Sequence, residues 1–133
     1  MATLRFELVA PERVLYSGDV DAVMLPGTEG EMTVLPGHAP VMTGLKTGFV
    51  VVTDRQNHGT RVLVRGGFAE INAETVIVLA ERALDAAELT PESIDQEIFQ
   101  VEMQRDASHD PAFKDAANAT IVQLQEARAA LRY

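Results

Sequence analysis

Residues 26–48 read PGTEGEMTVLPGHAPVMTGLKTG, and their five glycines and three prolines, set around two short apolar runs, govern how the rest of the chain is read. Glycine supplies positive φ or close backbone approach and proline locks φ, so each turn in this stretch is specified chemically. The segment reads as a shaped loop suited to docking against another surface.

On both sides of it the apolar pattern has period two. Leu4, Phe6 and Leu8 alternate with Arg5 and Glu7, and Val20, Ala22 and Met24 alternate with Asp19 and Asp21. This is the pattern of half-buried strands. Further β-type runs occupy 32–35, 48–53, 61–64, 68–71 and 75–79, ended by turn chemistry at 54–59, Gly66-Gly67 and 72–74. Short strands at this spacing predict an antiparallel β-sandwich, or flattened barrel, over residues 1–85. No helical segment long enough for a crossover lies between them, which argues against a parallel βαβ fold.

After Asp85 the composition turns to Ala, Glu and Gln. Thr90, Pro91 and Glu92 supply an N-cap, an N1 proline and an acidic first turn, with Ser93 as a competing cap. The expected helix carries Ile94, Ile98 and Val101 as its stripe, with Phe99 and Met103 beside it, and fades near Arg105. Asp110 and Pro111 repeat the signal for a second helix, whose stripe is Phe113, Ala117, Ile121, Leu124 and Leu131. Residues 86–133 are thus expected to form an antiparallel two-helix hairpin. Its alanine-rich surface buries modest area, so a few kcal/mol at most separate docked from extended arrangements.

With 133 residues, 47% of them hydrophobic and 23% charged, the chain has the balance of a soluble globular protein with one moderate core. A net charge of −9 disfavours nucleic acid and anionic lipid as main partners and favours a basic one. The lack of cysteine removes disulfides, thiolate metal sites and thiol catalysis together. The longest apolar stretch, 76–80, is far below the roughly 20 residues of a membrane helix. The N-terminal MATLRFELVAPE lacks the basic start and apolar core of a signal peptide, which makes a bacterial cytoplasmic location the default expectation.

Catalytic motifs are wanting. There is no P-loop, GxGxxG or GxSxG, and His38, His58 and His109 are too widely spaced for a helical HExxH pair. His38, between Gly37 and Ala39, reads as a structural hydrogen-bonding residue and not a general base. His58 in QNHG reads as an exposed turn residue, and His109 as part of the interhelical connection. Glu29 and Glu31 flank Gly30 and read as solvated acids that steer or contact a partner. No metal site and no cofactor is expected. The Asn118-Ala119-Thr120 sequon falls inside a predicted helix and is set aside.

The run SGDVDAVMLPGTEGEMTVLPGHAPVMTGLKTG at 17–48, with Gly66-Gly67-Phe68 and VIVLAERA at 76–83, resembles the epsilon subunit of the rotary proton-driven ATP synthase. Its most specific part is GEMTVLPGHAP at 30–40, similar to the family's GxxxxxPGHAP signature. The likeness spans essentially the whole chain, although the helical tail matches in length and character more than in motif.

The resemblance implies a non-catalytic subunit of the central stalk that couples ring rotation to catalytic sites elsewhere. Its β-sandwich would sit at the foot of the gamma subunit and against the c-subunit ring. Thr28, Glu29, Gly30, Glu31 and Met32 would form the ring-facing loop, and Pro36, Gly37, His38, Ala39 and Pro40 would shape the adjoining loop. In many relatives the helical hairpin extends along gamma and blocks ATP hydrolysis, meeting the beta subunit. The implied location is the cytoplasmic face of the bacterial inner membrane, peripheral and without insertion.

Two departures bear on what is carried over. Nucleotide-sensing relatives have Ile/Leu-Asp-x-x-Arg-Ala at the start of the first tail helix, whereas Ile94-Asp95 is followed here by Gln96, Glu97, Ile98 and Phe99. Without the arginine a triphosphate loses its charge-assisted hydrogen bonds, and weak or absent ATP binding is expected. The tail beyond Asp85 also offers few cations, Arg105, Lys114, Arg128 and Arg132, so inhibition is expected to be feeble. The alternatives are a free-standing β-sandwich adaptor for a basic protein, which leaves the capped tail without a role, and an enzyme with a novel carboxylate site, which requires a pocket holding perturbed acids.

Overall fold

The structure, a computed structural model, describes residues 2–54 and 58–131. Ten strands come first: β1 (Leu4–Ala10), β2 (Arg13–Val20), β3 (Ala22–Gly27), β4 (Gly30–Val34), β5 (Val41–Leu45), β6 (Gly48–Thr53), β7 (His58–Val64), β8 (Gly67–Ile71), β9 (Thr75–Ala80) and β10 (Ala83–Leu84). Two helices follow, α1 (Pro91–Ala107) and α2 (Pro111–Ala130). The chain forms two compact units, one ending at Ala86 and the other beginning at Ala87.

The period-two pattern becomes strands because alternate side chains leave opposite faces of a pleated backbone. Leu4, Phe6, Leu8 and Ala10 of β1 are buried while Arg5 is exposed, and Val76, Val78 and Ala80 of β9 are buried between the outward Ile77 and Leu79. The sheet order is β10-β7-β6-β3-β5-β8-β9-β1-β2, with β4 on β3. A single residue pair, Gly27 with Leu45, joins β3 to β5. The sheet therefore divides there into two five-stranded halves, β10-β7-β6-β3-β4 and β5-β8-β9-β1-β2. Phe6, Leu8, Ile71 and Val78 of one half and Val23, Leu25, Val34, Val50 and Val62 of the other belong to one hydrophobic cluster. Fully burying each Leu or Phe contributes about 1.5–3 kcal/mol, enough to hold the two halves together.

The expected sandwich is borne out, with four local differences. First, β1 and β9 pair in parallel, so the sheet is not wholly antiparallel. The strands that separate β1 from β9 in sequence make the long connection that a parallel pair requires. Second, the core residues just ahead of the 26–48 stretch are Val20, Val23 and Leu25, not Val20, Ala22 and Met24. Asp21 breaks the strand there, its N–H donating to the Thr53 carbonyl at 2.8 Å, and the alternation restarts one residue out of step. Third, residues 41–45, read as loop, form β5, because all five pair along β8. Fourth, of the turn expected at 54–59, positions 55–57 lie outside the described residues, and β7 already begins at His58.

In the helical unit, Thr90 caps α1 by accepting from the Ser93 N–H at 3.0 Å, while Ser93 Oγ accepts from the Thr90 N–H at 3.0 Å. Ser93 is thus the reciprocal partner of the cap, not its competitor. The buried row of α1 is Ile94, Glu97 and Val101, a three-then-four spacing that leaves Ile98 half-buried. Asp110 caps α2 through the Ala112 N–H at 3.0 Å. Ala117, Ile121, Leu124 and Ala127 are buried, whereas Phe113 is exposed. Arg105 donates to Asn118 Oδ1 at 3.0 Å, and Arg128 grips both oxygens of Asp95 at 2.8 and 3.3 Å, so the helices are tied at both ends of the hairpin.

Candidate functional site

The densest turn chemistry makes a hairpin. Gly27 and Gly30 pair across β3 and β4, leaving Thr28 and Glu29 as a two-residue turn. Gly30 has φ +128°, and a Cβ on residue 27 would lie 2.8 Å from the Gly30 carbonyl oxygen, so this turn admits neither side chain without strain. Its base is held by the Thr28 N–H to the Gly44 carbonyl at 2.9 Å and the Lys46 N–H to the Pro26 carbonyl at 3.0 Å. The tip is therefore a rigid projection rather than a slack loop.

Thr28, Glu29, Gly30 and Glu31 come together at this tip, all exposed, with two carboxylates in water. Met32 is turned the other way and packs against the core. Lys46, exposed, stands beside the tip through the contact of β5 with β3. Sequence reading gave no signal for Lys46, because only the Gly27–Leu45 pairing brings it there.

The PGHAP segment does not adjoin the tip. It leaves the far end of β4, about 17 Å away along a five-residue strand. It is pinned instead to the turn between β8 and β9 by the Gly37 N–H to the Ala73 carbonyl at 2.8 Å, with the His38 N–H on the Leu35 carbonyl at 3.2 Å. His38 Nδ1 lies 2.7 Å from the Ala39 carbonyl oxygen, so the ring nitrogen there acts as a donor to backbone. Pro36, Gly37, His38, Ala39 and Pro40 thus shape a backbone connection.

The remaining candidates scatter. Only the backbone of His58 is described, as the first residue of β7, and His109 is exposed between the helices. Among the described residues no three His, Asp or Glu gather to hold a metal ion. At the positions of the incomplete nucleotide motif, Ile94 is buried, Asp95 is occupied by Arg128, Ile98 is half-buried and Phe99 is exposed. Arg132 and Tyr133 lie outside the described residues.

The β-sandwich thus presents a stiff, acid-tipped hairpin. The family model described as "ATP synthase, Delta/Epsilon chain, beta-sandwich domain" matches residues 3–86. The ATP synthase epsilon chain of Chelativorans sp. is 40% identical over 129 residues, 97% of this chain and 96% of the relative. That of Caulobacter vibrioides is 51% identical over 88 residues, 65% of this chain and 100% of the relative. A chain of the Euglena gracilis mitochondrial ATP synthase, solved with its c-ring, has the same fold with a TM-score of 0.76 at 22% identity, covering 99% of this chain and 83% of that one. This protein belongs to the ATP synthase epsilon-chain family, as the motif resemblance implied.

Proposed function

We propose that this chain is a non-catalytic central-stalk subunit of a proton-translocating ATP synthase, linking the gamma subunit to the c-subunit ring and coupling proton flow to ATP synthesis. The observation that carries the reading is the β3–β4 hairpin: glycines hold Glu29 and Glu31 on a rigid exposed tip, in a chain of this family. Carboxylates held that way pair with cations on a facing polar loop without first losing loop entropy. Glu29 and Glu31 are the ring-facing acids in this reading.

No helix of the described residues is long and apolar enough to cross a membrane, which fits a peripheral place at the cytoplasmic face of the inner membrane. The helical hairpin acts as a weak brake on ATP hydrolysis through the beta subunit, its cations being few. ATP binding is weak or absent, since Ile98 stands where nucleotide-sensing relatives carry the arginine that would bind the triphosphate.

The test is a synthase stripped of this chain and rebuilt with purified protein. Wild type restores proton-coupled ATP synthesis, and the double variant Glu29→Gln, Glu31→Gln restores it less well. Undiminished synthesis without the chain overturns the function. Deleting residues from Leu89 onward raises ATP hydrolysis modestly, and an unchanged rate removes the brake from the proposal.

A further inference from the structure

The end of the sandwich that carries the β3–β4 tip also holds a line of charges that the tip alone does not contain. Glu31 pairs with Pro26, and the Pro26 carbonyl takes the Lys46 N–H at 3.0 Å. Leu45 pairs with Gly67 and Gly48 with Val64, so the two residues between them on each side keep one register and Lys46 lies opposite Gly66. The Gly66 carbonyl in turn takes the Glu81 N–H at 3.2 Å. Five neighbouring backbone segments therefore set Glu31, Pro26, Lys46, Gly66 and Glu81 side by side.

The first, third and fifth of these are charged, and all three are exposed. At about 4.8 Å per step the charges stand about 10 Å apart, beyond the ~4 Å reach of an ion pair. Among the described residues no ion pair joins Lys46 to Glu31 or Glu81. Pro26 is buried and Gly66 offers no side chain, so both intervals are open to a partner. Any other residue at 66 would be strained at φ +78°, and its Cβ would press on the Glu81 carboxylate at 3.0 Å. Arg65 and Arg82, one position further along the same segments, hold interactions of their own within the chain.

We propose that Glu31, Lys46 and Glu81 form an alternating line of acid, cation and acid that sets the register of this end on the c-subunit ring. The inference rests on the ring-docking role proposed above and adds Lys46 and Glu81 to it. Ring subunits that cross a membrane as packed helices stand about 8–10 Å apart, which matches the spacing of the line. Each facing loop then offers both a cation and a carboxylate. The outer two loops meet Glu31 and Glu81 through their cations, and the middle one meets Lys46 through its carboxylate. A slip along the ring that brings like charges together is opposed, so the line holds the sandwich at discrete positions while torque is passed.

The experiment measures how strongly the full-length chain, in complex with gamma, holds to immobilised c-subunit rings, compared with gamma alone. The variants are Lys46→Glu, Lys46→Gln and Glu81→Lys, each checked by far-UV circular dichroism and urea unfolding. Lys46→Glu and Glu81→Lys are each expected to weaken the hold by about 10-fold, Lys46→Gln by less, and added salt to narrow the differences. The direction of the Lys46→Glu effect decides. A facing surface that carries only cations binds this variant more tightly than wild type, and that result overturns the inference, as does binding equal to wild type. If Lys46→Glu does not fold, Lys46→Gln decides by the same criterion. Overturned in this way, the inference leaves the stalk function standing. A wild-type chain that adds nothing to the hold of gamma on the ring overturns the ring-docking reading and the inference together.

Discussion

At Gly67, the first residue of β8, φ is +127°, and a Cβ there would overlap the Leu79 carbonyl oxygen and lie 2.9 Å from Ala80 Cα. Because backbone and not a flexible side chain is in the way, Gly67→Ala is expected to cost about 3 kcal/mol or more, read as a lower urea midpoint. Tyr16 offers a pH-dependent test. Its hydroxyl donates to Asp54 Oδ2 at 2.9 Å, and burial, followed by that hydrogen bond and the carboxylate charge, raises its pKa above the usual 10.0. A raised folded-state value favours the protonated phenol. Its stabilising contribution is therefore complete below about pH 10 and is lost as pH rises through the folded value. Tyr16→Phe should remove that part of the alkaline decline and cost about 1 kcal/mol near neutrality, measured by urea unfolding across the alkaline range. Neither effect was readable from residue type alone: Gly66-Gly67 reads as a turn, but the clash partner of Gly67 comes from β9, and Asp54 lies 38 positions from Tyr16.

Among elements, the helices were the most legible, because a cap is encoded within four residues. Thr90→Ala breaks both halves of the Thr90–Ser93 exchange and should lower stability of the helical unit by about 1 kcal/mol, followed by helicity on heating. The Asp95–Arg128 pair, 33 residues apart, was invisible beforehand. Its side chains are 53% and 46% exposed, so a double-mutant cycle with Asp95→Asn and Arg128→Gln should give about 0–1 kcal/mol of coupling, shrinking with salt. A larger, salt-independent coupling would show that this contact is shielded from water. The strand β5 was missed for the opposite reason. Pro40 before it and Gly44 within it weaken its local β signal, and only pairing with β8 makes it a strand.

For the whole molecule, every buried member of the sandwich core cluster lies at or before Ala80. The Caulobacter vibrioides epsilon chain also matches along its full length with 88 residues. A chain ending at Ala86 should therefore fold alone, giving one cooperative urea transition; a broad, non-cooperative loss of signal would contradict this. The sequence alone determined that a β-sandwich precedes a capped helical hairpin, which alternate residues of most strands enter the core, and, through GEMTVLPGHAP, the family. These properties rest on side-chain alternation, caps and turn residues, which act over a few neighbouring positions. Only the tertiary structure decided that β1 runs parallel beside β9, that β5 rather than PGHAP borders the acidic tip, and that Phe68, Leu79, Val9 and Val14 line up in one outward-facing row. Those outcomes depend on which distant strands share hydrogen bonds once two inner faces close over a common core, a choice that no local pattern records.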